Sequence, residues 1–105
     1  MSQFSVHRNP NPHTKGRFPL LLDVQSDLIA DLGTRVAIPL CPASAMEGKL
    51  IQTLTPLFEI DGKQYAMLTP QLAGVAKKQL GEKVADLAHW RDEIVAALDL
   101  LITGI

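Results

Sequence analysis

From Ala88 to Ile102 the chain carries neither proline nor glycine, whereas seven residues of each type punctuate the 105-residue chain, nearly all upstream. One helix of useful length fits there, at the C-terminal end. Ala, Leu, Glu and Arg in the run favour helix, and Leu87, Trp90, Ile94, Leu98 (beside Ala97) and Leu101 recur three or four apart on one stripe. Asp86 is placed to cap the start, or the helix begins a residue or two later. Gly104 ends it.

Upstream, only short elements fit between the breakers. Gln3 to Arg8 alternates Phe4 and Val6 with polar residues, the pattern of a half-buried strand. Asn9 to Arg17 holds two prolines, two asparagines and a glycine, so it reads as a mobile surface loop with nothing to bury. Phe18 to Val24 is an apolar run suited to a central strand, interrupted by Gln25-Ser26-Asp27. Gly33 marks a turn before the β-rich run Arg35 to Leu40. Ala43 to Thr55, with Met46, Leu50, Ile51 and Leu54, fits either a short helix or irregular chain. Pro56 to Ile60 and Gln64 to Leu68 flank Asp61-Gly62, the strongest hairpin signal in the sequence. Gln71 to Gly81 stays open. Short strands followed by one helix predict a small, strongly bent sheet or barrel closed by that helix, as a single domain over residues 1–105.

The helix is apolar on more than one side. A second row runs through Val95, Leu98 and Ile102, with Leu100 beside it. A helix with two apolar faces needs two neighbours. One is the sheet; the other is either a copy of the same helix across a two-fold axis or further parts of its own domain. The remaining narrow face reads Asp92, Ala96, Asp99, Thr103, and runs into Gly104-Ile105.

Ten basic against eleven acidic residues argue against a dominant electrostatic grip on nucleic acid. The single Cys41 allows no intrachain disulfide and suits a reducing cytoplasm; a small buried side chain is its simplest role. No stretch approaches the roughly 20 apolar residues of a membrane span, and Met1-Ser2-Gln3-Phe4 does not begin a signal peptide. His7, His13 and His89 have no metal-ligand spacing. Asp23, Asp27 and Asp31 are four apart but cross a strand and a turn, and Glu47, Glu59 and Asp61 are scattered, so no acid–base couple is implied. Neither a nucleophile signature around Cys41 nor a nucleotide-binding glycine loop is present. Neither a catalytic residue, a metal nor a cofactor is expected, and the weight shifts to a protein that acts by binding.

Several blocks resemble the CcdB family. Asp23-Val24-Gln25-Ser26-Asp27-Leu28-Ile29 is similar to its D-V-Q-S-D-[IL]-[IL] segment, Ile38-Pro39-Leu40 to its I-P-L strand end, and Met67-Leu68-Thr69 to its M-[ML]-T. Val84-Ala85-Asp86-Leu87 resembles the V-[AN]-[DE]-L before the helix, and Gly104-Ile105 the closing G-I. Order and spacing hold over essentially the whole chain. The resemblance implies a mainly β fold, an SH3-like barrel of short antiparallel strands with one C-terminal α-helix, in a homodimer joined through sheet and helix ends. It implies a toxin that is not an enzyme. The toxin dimer wedges between the arms of the DNA gyrase A subunit, traps the enzyme on cleaved DNA, and is neutralised by a CcdA-type antitoxin whose disordered segment folds onto it. Carried over by position, the gyrase-binding surface is Asp99, Thr103, Gly104 and Ile105 at the helix end, with Arg91, Asp92 and Val95 on earlier turns and Ser26, Leu28 and Ile29 beside them. Gly104 is expected to allow close approach or positive φ, or to act only as a helix stop.

Three departures stand out. Thr103 occupies the place of a Trp in the best-known members, removing a large aromatic from the expected interface. The loop Asn9–Arg17 is longer than in some relatives, near where the antitoxin is expected to touch. Ala88 replaces a capping Ser. Two other readings accompany the gyrase poison: an mRNA-cleaving ribonuclease toxin on the same barrel, disfavoured by the balanced charge and the Thr-Gly-Ile ending, and a non-toxic antitoxin-binding module.

Overall fold

A computed structural model describes residues 2–29, 32–46 and 53–104. Leu50 and Ile51 of the ambiguous central stretch, Asp31, Glu47 and the terminal Ile105 lie outside the described residues.

Among the described residues, seven strands form one antiparallel sheet: β1 (Ser5–Arg8), β2 (Leu20–Asp23), β3 (Thr34–Pro42), β4 (Leu57–Ile60), β5 (Lys63–Met67), β6 (Ala73–Ala76) and β7 (Lys83–Asp86). The order is β4-β5-β3-β2-β1-β7, with β6 added on β3. The sheet curls into a half-barrel, and α1 (Arg91–Thr103) is the one α-helix among the described residues, so the mainly β, barrel-like expectation holds. β3 is the spine. Leu20 to Asp23 of β2 pair along one edge; on the other edge β6 takes Thr34 to Ala37 and β5 takes Leu40 to Pro42. A nine-residue strand flanked by four- and five-residue partners must serve two of them in succession.

Alternation decides which side of each strand is apolar. Val6, Leu20, Leu22, Ile38, Leu40, Phe58, Ile60 and Met67 face one core together with Phe4, Leu87, Ile94 and Ala97. The predicted hairpin forms at its predicted turn: Asp61 and Gly62 both have positive φ (51° and 79°), the backbone of a type I′ turn.

The helix departs slightly from expectation. Asp86 does accept a hydrogen bond, from the Ala88 N–H at 2.8 Å, but Leu87 stands at the N-cap of a 3₁₀ turn over Ala88–Trp90, and the α-helix begins only at Arg91. With Ala at 88 and no side-chain cap on the helix itself, the tight turn carries the chain into α1. Trp90 is anchored by a tilted contact with Phe58 at 5.8 Å. At the other end Gly104 takes φ 75°, and its N–H bonds to the Leu100 carbonyl, a left-handed cap that β-carbon-bearing residues resist.

The loop Asn9–Arg17 corrects the reading that it has nothing to bury. Asn9 is buried; its side chain donates to the Phe18 carbonyl and the Thr14 hydroxyl and accepts from the Asn11 N–H. Asn11 in turn accepts from the His13 N–H. Asparagine can replace the missing backbone partners of a proline-rich turn.

Candidate binding surface

Ser26, Leu28 and Ile29 stand on a short loop closed by a 3₁₀ turn over Asp27–Ile29. Leu28 is 95% exposed and Ile29 50%, with Leu32 equally open nearby in the chain. A loop normally turns such side chains inward. Here polar groups below it dictate the geometry. Arg35 Nε donates to Asp23 Oδ2 at 2.8 Å, with both side chains almost wholly buried. The same guanidinium donates to the Gln25 carbonyl and lies 3.6 Å from Asp27 Oδ1. Asp23 also accepts the Gln25 N–H. The Gln25 side chain donates to the Ile29 carbonyl and accepts the Val36 N–H, and the Ser26 hydroxyl accepts the Leu28 N–H. Asp23 and Asp27, four apart in sequence across a strand and a turn, thus converge on one arginine.

The second limb is α1. Ile94 and Ala97 are buried, Val95, Leu98, Leu100 and Leu101 half-buried. The face Asp92, Ala96, Asp99, Thr103 is exposed throughout, as its spacing requires, and continues into exposed Gly104. Ile102 is 74% exposed. The Thr103 hydroxyl donates to the Asp99 carbonyl at 2.6 Å, which fixes the last turn. Apart from its chain neighbours, no described residue comes within 4 Å of where a β-carbon on Gly104 would lie, so there its positive φ is what calls for glycine.

Gln3 and Phe4 connect the limbs. The Gln3 N–H donates to Asp27 Oδ1 at 2.9 Å and its side chain to the Val24 carbonyl. Phe4, buried and held at φ 69°, carries the Arg91 guanidinium over its ring at 5.7 Å. The Ser26–Ile29 loop is therefore tied to the first turn of α1. Asp99, Thr103 and Gly104 lie further along, about 12–20 Å from Arg91 at the helical rise of 1.5 Å per residue. Ile105, also expected in this surface, lies outside the described residues.

Sequence reasoning missed Arg35, Gln3 and Leu32. For Arg35 a signal existed: it opens an apolar β-run, and Asp23 closes another. Opposite charges within adjacent strands mark a buried pair, because such residues are rarely enclosed alone.

Other polar groups are enclosed. His7 donates from Nδ1 to the Gly81 carbonyl, while Nε2 faces the Ser5 hydroxyl at 2.9 Å. Ser5 and His7 are both buried, so this pair has no access to a substrate. Cys41 is buried, as its simplest role required, and lies 3.3 Å from the Met46 sulfur. Burial pushes its thiol up from the ordinary 9.0, with Arg17 opposing, which keeps it protonated and a poor nucleophile. Among the described residues no three His, Cys, Asp or Glu side chains gather to hold a metal ion, and no helix is long and apolar enough to cross a membrane.

The face of β2 and β3 turned away from the core forms a groove of about 530 Å³, lined by Phe18, Leu21, Pro39 and Val75 with Asn9 and Lys78. A family model described as CcdB protein matches residues 3–104, nearly the full chain.

Proposed function

This chain belongs to the CcdB family, toxins of the ccd toxin–antitoxin systems, and on that premise we propose that it poisons DNA gyrase by binding rather than by catalysis. A homodimer engages the gyrase A subunit and holds the enzyme on cleaved DNA, blocking replication in the cytoplasm.

The observation that carries this reading is the helix face Asp92–Ala96–Asp99–Thr103 running into Gly104, together with a leucine held out in water on a hydrogen-bonded loop. Short side chains allow a partner's backbone to come close, and Leu28 and Ile29 supply apolar area that the chain itself does not bury. The interface consists of Ser26, Leu28, Ile29, Arg91, Asp92, Val95, Asp99, Thr103, Gly104 and Ile105. A two-fold dimer presents it twice, matching a two-fold target. Val95 and Leu98 pack against the chain's own core, and it is exposed Ile102, with half-buried Leu100 beside it, that supports burial of α1 against a second copy. The groove beside Asn9–Arg17 is the region proposed to receive the antitoxin, since an ordering segment gains from a preformed apolar channel.

Purified protein added to gyrase and supercoiled plasmid is expected to accumulate double-strand breaks. Removing Gly104 and Ile105 is expected to abolish breakage while leaving circular dichroism and antitoxin binding essentially unchanged. A deletion that unfolds the chain assigns those residues to folding instead, and degradation of RNA with intact plasmid identifies a ribonuclease.

A further inference from the structure

Asp27 occupies a place in the fold that its exposure does not explain. A carboxylate with a 59% exposed side chain ordinarily contributes little beyond solvation. This one accepts the Gln3 N–H and lies 3.6 Å from Arg35 Nη2, on a guanidinium already committed to Asp23 and the Gln25 carbonyl. It therefore sits where three things meet: the buried arginine, the N-terminal segment that carries Phe4 under Arg91, and the turn that presents Leu28 and Ile29.

We propose that Asp27 is a positioning residue for target binding: its carboxylate clamps the Ser26–Ile29 loop to Gln3 and Arg35, and so holds Leu28 and Ile29 in the conformation that docks. This rests on the reading of the loop as part of the gyrase-binding surface. A leucine almost fully in water gives nothing to its own core. Around it the Gln25 side chain, the Ser26 hydroxyl, Asp27 and Arg35 all spend hydrogen bonds or charge on one loop shape. Fixing an apolar anchor before encounter removes the ordering penalty from association. Arg35 and Asp23 supply the buried foundation, and Asp27 is the member whose removal leaves that foundation in place.

The test compares the full chain with Asp27→Ala and Asp27→Asn. Three quantities are read: affinity for purified gyrase A subunit by calorimetry, amide exchange at Leu28 and Ile29, and the thermal midpoint. Asp27→Ala is expected to weaken binding by about tenfold, in line with freeing a few interface side chains, and to speed exchange at both amides with a midpoint close to that of the parent. Asp27→Asn keeps an oxygen for the Gln3 N–H and is expected to recover most of the affinity. Unchanged affinity and exchange in Asp27→Ala overturn the proposal, and so does loss of a cooperative melt, which makes the role structural. Should the parent itself not bind gyrase, the functional reading falls, and amide exchange alone then decides whether Asp27 holds the loop.

Discussion

Arg35 shows what one buried charge demands of its neighbours. Enclosing a guanidinium is unfavourable unless its donors are satisfied and its charge is matched. Asp23 meets it at 2.8 Å, and the Gln25 carbonyl takes a further N–H. Arg35→Met is expected to destabilise the fold by about 3–5 kcal/mol, because Asp23 is left buried without its partner. Asp23→Leu combined with Arg35→Met is expected to regain much of that loss, since no charge then remains inside. Urea denaturation of both single variants and the double gives the coupling energy, and a coupling near zero contradicts the pairing. Gly81 illustrates the opposite constraint, close approach without charge. A β-carbon there would fall 2.7 Å from the Arg8 carbonyl oxygen, which the Gly81 N–H already engages.

Elements differed sharply in how far the sequence disclosed them. The C-terminal helix and the β4–β5 hairpin were legible because local chemistry settles them: a breaker-free run with a three-to-four repeat, and an Asp-Gly pair with the positive φ its turn needs. β6 and β7 were not legible. Each has four residues, and each exists because β3 or β1 offers an unpaired edge, which no window of their own sequence records. Likewise the exposed face of α1 followed from spacing, whereas the shape of the Ser26–Ile29 loop depends on Arg35 and Gln3, both distant in sequence. On the helix, Ile94 is fully enclosed and Ile102 is 74% exposed. Ile94→Ala is expected to cost about 2–5 kcal/mol of stability. Ile102→Ala is expected to leave the protomer within about 0.5 kcal/mol, with its effect confined to self-association. Chemical denaturation and sedimentation, run in parallel, separate the two.

At the scale of the whole molecule, α1 leaves Ile102 in water at its last turn while Val95 and Leu98 pack on the core. If that turn meets a second copy, folding and assembly are linked by mass action. The melting midpoint is then expected to rise with protein concentration, and Ile102→Ala to flatten the dependence. Differential scanning calorimetry over a hundredfold concentration range checks this, and a midpoint independent of concentration argues for a lone protomer. The sheet order carries one more consequence. β1 lies between β2 and β7, and Ser5 finds its partner in Asp86, so a chain still emerging from the ribosome holds its first strand half-paired until the seventh has been made. The helix follows later still. A message cut short therefore yields a product in which β1 lacks its β7 partner and α1 is missing.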